Sequence, residues 1–161
     1  MALLITQLSV FLLFLLVLKV KYHGWYYYRA ASVAMGAMLV MAAAGHFMYA
    51  EGMQLMLPAW VPFKKPIVLL TGIYELMLAY SFFLPHRRKI AARICMVYLA
   101  LTLPVNIYAS IYYVNYVQAD YSGDGPVYLW FRIPLQLFWI AWCYFIYRWN
   151  PLPLKKIENG Q

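Results

Sequence analysis

The sequence predicts an all-α membrane protein: a compact four-helix transmembrane bundle preceded by one N-terminal transmembrane helix. Three observations predict it. Charged residues make up only 11% of the 161 residues, where a soluble domain carries about 25%. Mean hydropathy is +0.66. The apolar residues gather in five runs, each near the roughly 20 residues that a helix needs to cross a hydrocarbon core. The polar stretches between them are too short for a second domain.

The first run, Leu3 to Leu18, is the shortest. It lacks the basic n-region and small-x-small site of a secretory signal peptide, and Lys19 and Lys21 follow it directly. Residues 1–18 therefore read as a retained transmembrane helix. The second run, Ala30 to Ala50, is small-sided at Ala34, Gly36, Ala37 and Ala42 to Gly45, which permits close helix packing. The third, Pro66 to Leu84, carries Glu75 near its middle. The fourth, Ile90 to Val114, contains Pro104, which kinks a helix and frees a carbonyl one turn earlier. The fifth, Val127 to Tyr147, carries Arg132 and Gln136. Residues 30–149 form the predicted bundle. Residues 150–161, broken by Pro151 and Pro153, form a cytoplasmic tail.

The charge pattern orients these spans. With the N-terminus outside and five spans threaded, Lys19, Lys21, Arg29, Arg87, Arg88, Lys89, Arg93, Arg148, Lys155 and Lys156 fall inside, ten of the 13 basic residues. Lys64 and Lys65 fall outside with Glu51, Asp120 and Asp124. The positive-inside rule then selects N-out, C-in. Tyrosines and tryptophans cluster at both ends of the spans, as interfacial anchors do. The net charge of +8 flanks apolar segments, so the expected partner is the lipid bilayer and not nucleic acid. Cys95 and Cys143 form no C-x-x-C pair, and no metal motif is present; both read as packing residues.

Two loops matter. The outer loop Glu51 to Lys65 is too apolar for a solvated loop. It is expected to lie in the interface or fold over the bundle mouth, with Pro58, Trp60 and Pro62 as a lid. The loop Asn115 to Pro126 holds Asp120, Ser122, Gly123, Asp124 and Gly125. It lacks the spacing and terminal Glu of a calcium loop and reads as a turn.

The chemistry-bearing residues lie inside the spans. A charged group near the bilayer centre costs about 2.5–3.5 kcal/mol on insertion scales, so it is kept where it faces protein or a wet cavity. Glu75 and Gln136 are each expected near mid-depth, with Thr71 and Arg132 one turn above them. His46 and Asn106 are expected in the outer third. The six residues His46, Thr71, Glu75, Asn106, Arg132 and Gln136 thus form a candidate polar pocket in the outer half. Arg132 would neutralise Glu75 if their helices are neighbours, and His46 would exchange a proton. The competing reading is structural, since polar side chains also join transmembrane helices at around 0.6 kcal/mol per bond.

The ordered series Gly45-His46-Phe47, Pro58-x-Trp60-x-Pro62, Thr71-Gly72-x-x-Glu75-Leu76, Pro104-x-Asn106 and Arg132-x-x-x-Gln136 resembles the DoxX-like family of small membrane proteins, over about Ala30 to Trp149. The resemblance implies a four-helix bundle in a bacterial plasma membrane, to which residues 1–18 add a helix. It also implies an association with membrane oxidoreductases, a quinone as the possible cofactor, a membrane or soluble redox partner, and possible oligomers. A related animal protein is an assembly chaperone. Relatives in the wider grouping use a cysteine pair with quinone, a pair that the sequence spacing does not offer here.

Two functions follow. One is a quinone-linked or oxidoreductase-associated membrane subunit, with Glu75 and His46 handling protons and Arg132 holding an oxygen. The other is a non-enzymatic assembly factor or accessory subunit in which the polar groups are structural. A transporter is disfavoured by the lack of an inverted repeat.

Overall fold

The computed structural model describes residues 2–149; the tail expected over 150–161 lies outside the described residues. The elements are α1 (Ala2–Tyr22), α2 (Tyr27–Met48), α3 (Ala50–Leu55), α4 (Lys64–Phe83), α5 (Arg88–Ile111), a 3₁₀ turn (Gly125–Tyr128) and α6 (Leu129–Trp149). Five of the helices are long and apolar enough to cross a membrane. The protein is an all-α, multi-pass membrane protein.

The first helix is longer than its apolar run. It continues through Lys19 and Lys21 to Tyr22. Lysines near a helix C-terminus complement its dipole, and their stems stay in the apolar layer while the ammonium reaches the interface.

Four helices close a ring. α2 packs on α4, α4 on α5, α5 on α6 and α6 back on α2, while α1 lies outside the ring against α2. α2 and α4 run antiparallel: Gly36 faces Ala79 and Phe83 at one end, and Gly72 faces His46 at the other. A methyl added at Gly36 would sit 2.9 Å from the Phe83 ring, so the small residue sets how closely the two helices approach.

The apolar core fills the half of the ring nearer Tyr27 and Trp149, around Met35, Leu39, Phe82, Cys95, Cys143 and Ile146. Arg88 closes that end. It is buried, and its guanidinium donates to the carbonyls of Phe82 (3.1 Å) and Phe83 (3.5 Å). The last carbonyls of a helix have no partner of their own, so Arg88 acts as the C-terminal cap of α4.

Gln7 ties α1 to the ring. It is fully buried, and its Oε1 accepts the Trp139 indole N–H at 2.7 Å. Gln7→Leu is expected to cost about 0.6–1.7 kcal/mol, the range of measured interhelical hydrogen bonds in membranes. Reversible unfolding in mixed micelles with rising SDS would measure it. An unchanged midpoint would mean that lipid-like packing alone seats α1.

Candidate functional site

The six candidate residues divide among three places. Glu75, twelfth of the 20 residues of α4, is buried between α2 and α5. Its Oε1 accepts the Tyr98 hydroxyl at 2.7 Å. Its Oε2 lies 3.5 Å from His46 Nε2 and has no hydrogen-bond partner. On the far side of the ring, His46 Nδ1 is 3.2 Å from Thr71 Oγ1. Thr71 in turn donates to the Val68 carbonyl at 2.7 Å, one turn back on its own helix.

Tyr98 donates its hydroxyl to Oε1, and Thr71 Oγ1 lies between the Val68 carbonyl and His46 Nδ1, whose role depends on the tautomer. Nε2 and Oε2 face each other at 3.5 Å without a hydrogen bond between them. A proton on either atom would be shared by the pair.

Local sequence explains the meeting. Gly72 lies directly against His46; a methyl there would come 2.8 Å from His46 Cβ. The four-residue spacing of Thr71 and Glu75 puts both on the α4 face that meets α2. His46 lies level with Gly72, about one turn from Glu75 toward the Lys64 end of α4, and its side chain reaches back to the carboxylate. Beyond α2 the chain breaks at Tyr49 (φ −115, ψ 29) and continues as α3, which packs on α4.

Asn106 and Gln136 form the second place. Asn106 Nδ2 donates to Gln136 Oε1 at 3.1 Å. The Gln136 amide donates to Thr102 Oγ1 at 3.1 Å and to the Leu99 carbonyl. The carbonyl that Pro104 deprives of its donor is that of Ala100; the one taken up is its neighbour, where the proline has loosened the ladder. These two amides satisfy each other and the α5 backbone, which is how polar groups join membrane helices.

Arg132 stands apart. α4 and α6 are diagonal in the ring, so the proposed neutralisation of Glu75 by Arg132 does not occur. The guanidinium instead sits over the Tyr128 ring, 5.3 Å from its centre, in the wall of a separate cavity.

The expected lid is not closed over the cluster. Trp60 is 82% exposed, and Pro62 is exposed while Pro58 is half-buried. The 57–64 segment closes on itself: Val61 N–H donates to the Pro58 carbonyl, and Lys64 Nζ donates to the Leu57 carbonyl at 2.9 Å. Those bonds hold the turn outward.

Two features escaped sequence reasoning. Tyr98 was one of 16 tyrosines, most of them interfacial; its signal was its place at mid-helix. Cys95 and Cys143, 48 positions apart, lie in one core cluster between α5 and α6, both free and fully buried. The structure thus supplies a thiol pair that the spacing hid. Cys95 lies one turn from Tyr98 in the apolar core. Among the described residues no group of three or more His, Cys, Asp or Glu is placed to hold a metal ion.

No curated protein and no solved structure matches this chain. A family model described as a domain of unknown function, DUF8561, matches residues 35–147. That window spans most of α2 through α6 and contains His46, Glu75, Tyr98, Asn106, Arg132 and Gln136, while α1 lies outside it. The chain belongs to the DUF8561 family.

Proposed function

We infer that the protein is a redox-associated membrane subunit of DoxX-like type, in a bacterial plasma membrane with its N-terminus outside. The His46–Glu75 pair exchanges a proton with an amphipathic ligand of the quinone class. The observation that carries this reading is Glu75 Oε2, buried without a hydrogen-bond partner beside His46, whose side chain is 19% exposed. An orphaned carboxylate oxygen at mid-span is costly and is supported by a proton that can move. A quinone, when bound, supplies two-electron carbonyl–hydroxyl chemistry in the bilayer. Thr71 and Glu75 face the two imidazole nitrogens, so a ring oxygen would reach the pair by taking the place of Thr71 at Nδ1, with Glu75 returning or accepting the proton behind it. Tyr98 fixes the carboxylate so that Oε2 faces the imidazole. The electrons come from a membrane or soluble redox partner.

The alternative, an accessory or assembly factor, is favoured by the Asn106–Gln136 bonds, which are complete without any ligand. One experiment separates the two. Small molecules extracted from the purified protein are identified by mass spectrometry and compared with Glu75→Gln. The expected result is a quinone in the wild type that falls by about tenfold or more in the variant, the loss of roughly one charge-assisted hydrogen bond. Bulk lipid alone in both would reject the redox reading and leave the assembly role.

A further inference from the structure

The end of α5, the 112–125 segment and the start of α6 enclose a cavity of about 190 Å³. At roughly 30 Å³ per water, that is room for about six waters, or for a small polar headgroup. Its walls are braced. Asn115 and Asp120 exchange backbone hydrogen bonds at 2.9 and 3.3 Å, and Gly123 N–H donates to the Tyr113 carbonyl at 2.7 Å. Ser122 donates its hydroxyl and its N–H to Asp120, which holds that carboxyl below its usual value. Gly125 takes a left-handed φ of 64 and lies flat on the Tyr113 ring; any side chain there would strike the ring.

Two opposite charges line this cavity without meeting. Arg132 is half-buried, and among the described residues no carboxylate lies within 4.0 Å of it. None of its N–H groups has a protein acceptor, although a guanidinium presents five donors in a fixed fork. Asp124, on the same wall, is likewise unpaired. A lone cation in a cavity calls for an anion. A cavity that also carries a separated carboxylate repels a simple anion and accepts one that brings its own positive charge.

We propose that this cavity binds a zwitterionic phosphoethanolamine group, its phosphate on Arg132 and its ammonium at Asp124. Arginine pairs bidentately with phosphate, and a carboxylate pairs with an ammonium. The group has two possible sources: a phospholipid of the adjacent leaflet, or the same headgroup free in water. The site is separate from the His46–Glu75 cluster and does not depend on its function.

The test reconstitutes the full chain with equal amounts of phosphatidylethanolamine, phosphatidylcholine and phosphatidylglycerol of identical acyl chains. The lipids that stay bound through purification are counted by mass spectrometry. The expected result is an enrichment of phosphatidylethanolamine by about tenfold, one charge-assisted bond's worth. Arg132→Gln should abolish selective retention. Asp124→Asn, at an exposed position that leaves the fold alone, should keep a bound phospholipid and lose the preference for ethanolamine. Competition by soluble O-phosphoethanolamine identifies the source: displacement points to a headgroup taken from water as well, and retention to a lipid held by its chains. No headgroup selectivity in the wild type, a preference for phosphatidylglycerol, or an Asp124→Asn protein with the wild-type preference would each overturn the proposal.

Discussion

His46→Leu is expected to destabilise the bundle by about 3 kcal/mol, whereas Glu75→Gln is expected to leave it within about 1 kcal/mol of the wild type. The asymmetry follows from what each variant leaves in contact with the buried carboxyl. Without the imidazole, Glu75 Oε2 faces an apolar side chain. If the carboxyl holds the shared proton, the variant has an orphaned buried donor, worth about 1–3 kcal/mol. If it is ionised, the variant has an unpaired buried charge, worth about 3–5 kcal/mol. Glutamine at position 75 avoids both penalties. Its carbonyl oxygen can accept from Tyr98 as Oε1 does at 2.7 Å, and its amide can donate to neutral His46 Nε2 from the place of Oε2. The second variant therefore keeps the Tyr98 bond and removes the ionisable group. Reversible unfolding by SDS titration measures both. Equal losses in the two variants would mean that the charge itself holds the helices together, and the cluster would be structural.

This design differs from the one that the sequence alone suggests, and the difference is instructive. Hydropathy and charge reveal the five spans, because a run of apolar side chains is a local property. They do not reveal which helices touch. In a ring of four, each helix has two neighbours and one diagonal partner, and only the fold shows that Arg132 is diagonal to Glu75. Six residues, Ala50–Leu55, are too few to show a period, so α3 read as part of the loop over 51–65. Tyr98 and Gln7 were hidden for a different reason. Each is one polar atom group in an apolar helix, and nothing local says whether it faces lipid, a loop or a carboxylate. The cysteine pair is the same case: two small residues 48 positions apart become a contact only when α5 and α6 are laid antiparallel.

Gly52→Ala is expected to cost about 3 kcal/mol or more, although alanine is the better helix former. In a helix interior, alanine is favoured over glycine by about 1 kcal/mol. At Gly52 that gain is outweighed, because the added methyl would overlap the backbone of Tyr116. A side chain in the way can rotate; a carbonyl fixed in the 112–125 segment cannot, and overpacking a tight contact already costs about 1–3 kcal/mol where side chains can shift. Relief requires α3 to part from the segment that carries Asn115 and Tyr116, two walls of the Arg132 cavity. Gly45→Ala is the matched control. There the nearest atom is the flexible end of Met53 at 3.6 Å, so the helix propensity should dominate and stability should hold or rise. Thermal unfolding of both variants in the same detergent decides it. If Gly52→Ala were as stable as Gly45→Ala, α3 would not be seated against the loop.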